Sequence, residues 1–147
     1  MTDVLDLESL AIGTALRPAV RVPTREQCVR YAGAANDFSP IHYDDGNARE
    51  RGFPGDIVHG LLKASLLGEL LESWSAPHGG WVRRLATRYQ GIDLPGRPLI
   101  CQAKVTGKSV SADAWLVDLD VWIDNAEGRT TTSGSATVDF RNQTGTS

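Results

Sequence analysis

From Gly60 to Trp74, apolar residues fall at Leu61, Leu62, Ala64, Leu66, Leu67, Leu70, Leu71 and Trp74, a broad face that repeats with the helical period. This predicts a long, central, buried helix. After Pro77-His78-Gly79-Gly80 the period shortens, and four strands are expected over residues 81–90, 98–110, 114–124 and 129–140. Alternation is clearest in the third of these. Trp115, Val117, Leu119, Val121 and Ile123 share one face, while Leu116, Asp118, Asp120 and Trp122 share the other. Asn125-Ala126-Glu127-Gly128 supplies a hairpin connection, with glycine where a positive φ is useful.

Upstream, residues 17–22 read as a short strand closed by Pro23, and Thr24-Arg25-Glu26-Gln27 has the form of a capping box for a helix over 25–34. Pro40 excludes continued helix, so Asp37 to His42 is predicted as a constrained loop. A further helical turn is expected near 47–51, before Gly52-Phe53-Pro54-Gly55. The order of elements describes an α+β domain in which a curved antiparallel sheet wraps a long central helix. One domain over residues 1–147 is expected, with its core at about 7–140 and a polar, frayed tail from 141 to 147.

Composition changes this picture little. Apolar residues make up 41% and charged residues 22%, which favours neither a disordered nor a membrane class. A net charge of -3 supplies no global attraction to nucleic acid or to an anionic membrane. No run approaches the ~18 uninterrupted apolar residues of a membrane span, because Lys63, Glu69 and Glu72 interrupt the most apolar stretch. The acidic N-terminus lacks the features of a secretory signal, so a cytoplasmic location is expected. Cys28 and Cys101, one on a helix and one on a strand, are expected to remain unbridged.

The candidate chemistry centres on Asp37 and His42, five positions apart across a Pro-containing turn. A carboxylate and an imidazole converging there can share proton transfers on one water. A turn-capping aspartate beside an ordinary histidine fits the spacing as well. Gly60 opens the long helix, so its backbone N–H lacks an intrahelical acceptor and can face a developing oxyanion, an interaction worth about 3 kcal/mol per well-placed donor. Tight packing of the helix start is the alternative use of that glycine. His42, Asp44, Asp45 and His59 fit no zinc spacing, and no metal is expected. Ser39 and Ser65 lack a nucleophile-elbow setting, and phosphate-loop and dinucleotide fingerprints are missing.

The run Tyr31-Ala-Gly-Ala-Ala-Asn-Asp37-Phe-Ser-Pro-Ile-His42-Tyr-Asp44, followed by Ala48, Gly52-Phe-Pro-Gly55 and Ile57-Val-His59-Gly60-Leu-Leu, resembles the signature of the MaoC-like dehydratases. These form the (R)-specific enoyl-CoA hydratase branch of the hot-dog fold. Arg88-Tyr89 and Leu94-Pro-Gly96 are similar to the family's following strand and turn, and the likeness runs from about Leu7 to Phe140. It implies that Asp37 and His42 activate one water for syn addition to a trans-2-enoyl thioester, giving a (3R)-3-hydroxyacyl product. It implies that the Gly60 N–H polarises the thioester carbonyl. Substrate contacts are expected at Ser39, His59 and an acyl pocket of Phe53, Ile57, Val58 and Leu61, for which core packing is the alternative, and Arg83, Arg84, Arg88 and Arg97 are candidates for the phosphates of a coenzyme A or acyl-carrier-protein arm, with solvated surface charge as the alternative. That carrier belongs to the substrate, and no separate cofactor is expected.

Fatty-acid, polyketide or steroid side-chain metabolism would suit such an activity. The family's habit of joining two sheets into one implies a homodimer, with a hetero-oligomer of two hot-dog chains, one mainly scaffolding, as the alternative. A hot-dog thioesterase would need a carboxylate on the long helix, and Glu69 and Glu72 lie toward its far end. The sequence departs from the family pattern at Ser39, where many members have Asn, and at Asp56, where many have Pro. Asp56 is expected to point to solvent.

Overall fold

The structure is a computed structural model that describes residues 5–111 and 113–141. Strand β1 (Ala19–Arg21) is shorter than the apolar pattern predicted, and helix α1 (Arg25–Ala35) follows it. The Thr24 side chain accepts from the Gln27 backbone N–H, as the capping-box pattern requires. Asn36 ends the helix in the left-handed region at φ 53°, a conformation asparagine tolerates better than most residues. A 3₁₀ turn covers Pro40–His42, and α2 spans Asp45–Glu50, beginning two residues before the expected turn because the Asp44 carboxylate caps it at the Asn47 N–H.

Helix α3 (Gly60–Ser75) is the long helix of the hydrophobic pattern. Leu62, Leu66, Leu67, Leu70 and Leu71 are buried along it, each stabilising the fold by roughly 1.5–3 kcal/mol relative to exposure. Strands β2 (Gly80–Tyr89), β3 (Leu99–Ser111), β4 (Ala114–Asn125) and β5 (Thr130–Arg141) complete an antiparallel sheet in the order β1-β3-β4-β5-β2. Its concave face buries Val117, Leu119, Val121 and Ile123 of β4 with Ala136, Val138 and Phe140 of β5, packed with the α3 leucines. The N-terminal segment joins this core through Leu7 and Leu16. Gly134 is required where β5 passes β2, since a Cβ there would overlap the Ala86 carbonyl oxygen.

The two sheet edges differ. The β1 edge has three residues, whereas β2 offers ten residues with no strand on its outer side among the described residues. Both cysteines are buried and unbridged, as expected. Of the tail expected to fray, Arg141 closes β5, and the remainder lies outside the described residues. Among the described residues, no helix is long and apolar enough to cross a membrane.

Candidate active site

The loop after α1 is folded back by its own hydrogen bonds. The Asp37 N–H donates to the Ala32 carbonyl, and the Tyr43 hydroxyl donates to the Phe38 carbonyl at 2.8 Å. The Ser39 N–H donates to Asp37 Oδ1, while the Ser39 carbonyl accepts from the His42 N–H. Ser39 therefore orders the loop through its backbone. Segment 56–59 runs alongside, joined to the loop where the Ile57 N–H donates to the Ile41 carbonyl.

These contacts bring Asp37 Oδ2 to 3.7 Å from His42 Nε2, with the carboxylate 45% exposed and the imidazole 10%. The separation is too long for a direct hydrogen bond and short enough for one water to touch both atoms. His42 Nδ1 lies 2.8 Å from the Ile57 carbonyl, which can only accept, so Nδ1 carries the hydrogen. In the neutral ring, Nε2 is then the bare nitrogen that faces the carboxylate.

His59 is 1% exposed and lies flat on His42, with ring centroids 3.7 Å apart and planes 20° from parallel. Burial lowers its pKa below the ordinary imidazole value, and the neighbouring His42 works in the same direction against the Asp37 contacts. Asp37, His42 and His59 each place one potential metal-ligating atom within 4.8 Å of the others. The two stacked rings hold their lone pairs in nearly parallel planes, which does not suit convergence on one ion at roughly 2.0–2.1 Å.

Gly60 follows His59 as the first residue of α3, where backbone N–H groups lack intrahelical acceptors and the helix dipole favours negative charge. The ring of Tyr89 covers it so closely that a Cβ on Gly60 would meet Cδ2 and Cε2 at 3.0 Å. Phe38 in the loop, Leu61 at the helix start and Tyr89 over Gly60 are exposed apolar side chains.

Asp56 and the side chains of Val58 and Phe53 lie outside the Asp37–His42–His59 cluster. Asp56 does not point to solvent. It is 5% exposed and takes a bidentate pair from Arg25 at 2.7 and 2.9 Å, because the chain turns it toward the start of α1. Its backbone N–H also donates to Asp45 Oδ1. The Val58 side chain packs with Cys28 and Leu62 in a small core cluster, while Ile57 contributes its backbone to the site. Phe53 is half-buried after α2, where its N–H donates to the Ala48 carbonyl.

Arg88 alternates with Tyr89 and stands opposite Ser133, on the sheet face turned away from Gly60. Arg84 lies on that same outer face and donates to Ser135, Arg83 approaches Asp139 at 3.9 Å, and Arg97 pairs with Glu127. The pattern along the chain did not single out Lys63. It is 2% exposed, one turn into α3, and donates to Asp93 Oδ2 at 2.8 Å and the Gly91 carbonyl at 2.9 Å.

The sequence pattern of the MaoC like domain matches residues 8–125. This chain belongs to the MaoC-like family. It is 36% identical over 67 residues to the (R)-specific enoyl-CoA hydratase of Aeromonas caviae, covering 46% of this chain and 49% of that protein. It is 34% identical over 64 residues to the mitochondrial 3-hydroxyacyl-[acyl-carrier-protein] dehydratase of Arabidopsis thaliana, covering 44% of this chain and 38% of that one. These sequence matches thus span half or less of either relative. The solved (R)-hydratase from A. caviae involved in PHA biosynthesis superposes with a TM-score of 0.79 at 25% identity, over 89% of this chain and 97% of that one. The MaoC-like chain therefore has the hot-dog fold implied by its motif, a curled five-stranded sheet around a central helix.

Proposed function

We propose that this chain is a hydro-lyase that reversibly adds water to a trans-2-enoyl thioester, with Asp37 and His42 as its acid/base pair and the Gly60 N–H as its oxyanion donor. The observation that carries the reading is the 3.7 Å approach of Asp37 Oδ2 to the bare His42 Nε2, with the start of α3 beside it. A water held between these atoms would lose a proton to the pair as its oxygen bonds to C3. Electron density would move onto the thioester oxygen, where the Gly60 N–H and the positive end of α3 stabilise it. The pair would then return a proton to C2 on the same face, regenerating itself and making the addition syn. Run backwards, the same steps dehydrate a (3R)-3-hydroxyacyl thioester.

The acyl group would lie against the exposed apolar side chains Phe38, Leu61 and Tyr89. Arg88 and Arg84 project from the opposite face of β2, so within one chain they do not line this site. The carrier is coenzyme A or acyl carrier protein, consistent with the substrates named for the two matched relatives. The ten-residue open edge of β2 suits pairing with a second copy, because an unpaired edge of that length is otherwise a route to aggregation.

The test is to mix the purified chain with crotonyl-CoA and with longer and branched enoyl-CoA thioesters and follow loss of the conjugated absorbance. Asp37→Asn and His42→Ala should each lower turnover by at least about a hundredfold. Wild-type rates in both variants would end the proposal.

A further inference from the structure

His59 touches both members of the acid/base pair and is itself almost fully buried. Its Nε2 lies 3.3 Å from the Asp37 backbone carbonyl, and its ring stacks on His42. Tyr31, from α1, meets the His59 ring edge-on at a centroid distance of 5.0 Å. The titratable groups that face it are therefore the Asp37 carboxylate, the His42 imidazole and the Tyr31 phenol. Because a carbonyl can only accept, the hydrogen of His59 is on Nε2. Nδ1 is left buried with no hydrogen-bond partner among the described residues. A proton there would place an unpaired N–H and a positive charge in the interior, 3.7 Å from the ring that must itself accept a proton.

We infer that His59 is a positioning residue: a neutral Nε2–H imidazole that anchors the Asp37 backbone and backs the His42 ring, holding the two catalytic side chains at the spacing of one water. The role rests on the reading of Asp37 and His42 as the acid/base pair. When His42 takes a proton on Nε2, its Nδ1–H keeps the Ile57 carbonyl, the Asp37 carboxylate lies 3.7 Å from the charged ring's Nε2, and the cation rests on the face of an uncharged aromatic ring. A charged His59 would oppose that step. A small aliphatic side chain at position 59 would leave His42 free to tilt and the Asp37 carbonyl without its donor. Misplacement by about 1 Å is enough to cost on the order of a hundredfold in rate.

Two substitutions separate the contacts. His59→Phe keeps a ring against His42 and loses the donor, whereas His59→Gln keeps an N–H donor and loses the ring. Each should lower kcat by about 10- to 100-fold with KM changed less than about threefold, since the substrate is not touched. In an Asp37→Asn background the His59→Gln effect should shrink to less than about threefold, a non-additivity that general loosening of the fold would not produce.

Independently of substrate, nitrogen shifts of the histidine-labelled wild-type protein should show His59 as a neutral Nε2–H ring at about pH 6.5, where an ordinary imidazole is half protonated. Wild-type kcat in both His59 variants, additive effects with Asp37→Asn, or a His59 that is half protonated at that pH would each overturn the assignment. A wild-type chain inactive on every enoyl thioester would instead defeat the acid/base reading, and the nitrogen shifts alone would then decide the charge state and tautomer of His59.

Discussion

Lys63 gives the most demanding test of how this fold holds its site. Its ammonium is 2% exposed and its partner carboxylate, Asp93, 3%. Removing one partner from such a buried pair leaves the other charge without compensation and destabilises by roughly 3–5 kcal/mol, whereas replacing both by apolar groups is often neutral or stabilising. Lys63→Met should therefore lower stability by about 3–5 kcal/mol, and Lys63→Met combined with Asp93→Leu should recover most of it. With a urea dependence of about 2 kcal/mol per M, the single substitution would move the unfolding midpoint down by on the order of 1.5–2.5 M. Urea melts at one fixed protein concentration would read this, since association contributes to apparent stability.

The effect should reach the site as well. The Asp93 carbonyl accepts from the Val58 N–H, and the adjoining Ile57 carbonyl is the group that orients His42. Turnover of Lys63→Met should fall at temperatures where the protein remains folded, and rise again in the double variant. A single variant within about 1 kcal/mol of wild type, or a double variant no better than the single, would refute the view that this pair is an uncompensated-charge risk tying residues 91–93 to α3.

Gly60→Ala keeps the backbone N–H but sets a Cβ 3.0 Å from the Tyr89 ring, closer than the roughly 3.5–4.0 Å of comfortable carbon contact. Turnover should drop by about tenfold or more, and Tyr89→Ala in the same chain should relieve part of the loss; full activity in Gly60→Ala would contradict the close contact. His59 has a folded pKa below its ordinary value of 6.5, so the unfolded chain binds the extra proton first as pH falls. Its contribution to stability should be complete above about pH 6.5 and decline as pH drops from there toward the lower folded value, a slope that urea midpoints should show in wild type and not in His59→Gln. Burial pushes both the Cys28 and Cys101 thiols up to about 11, so a thiol reagent at pH 8 should label neither quickly in the folded protein and both at once in urea. Rapid labelling of the native chain would show that one of these thiols is open to solvent.

Much of the fold was legible because it follows local periodicities. The alternation of β4 and the leucine face of α3 place their residues in the core without reference to the rest of the chain. Boundaries shifted by a residue or two where a side chain decided them. Asp44 starts α2 early by capping it, and Asn36 lets α1 run to Ala35 before its left-handed turn. The expected direction of Asp56 was wrong because solvent is the usual place for an unpaired carboxylate, and Arg25, thirty-one residues earlier, was not visible as its partner. Lys63 was hidden for a related reason. A lysine within an apolar face reads as a long side chain reaching for water, and only the fold brings Asp93 to it.

The candidate site divides along the same line. Asp37 and His42 stand close in sequence on one rigid turn, so their meeting could be anticipated from spacing together with Pro40. What orients them comes from farther away: the Ile57 carbonyl is 15 residues from His42, and the His59 ring nitrogen is 22 from the Asp37 carbonyl it contacts. Those partners act through a backbone oxygen and a ring face, neither of which leaves a residue-type signature for acid/base chemistry. The motif-like stretches that hold His59 and Arg88 do not specify their placement, His59 buried against the His42 ring and Arg88 on the sheet face turned away from Gly60. The motif thus identifies the residues proposed to exchange protons, while the tautomer of His42 is set by a neighbour that only the folded chain supplies. It follows that moving the Asp37-to-His42 turn alone into another scaffold would carry over the carboxylate and the imidazole but not the Nδ1–H tautomer that leaves Nε2 free to accept a proton.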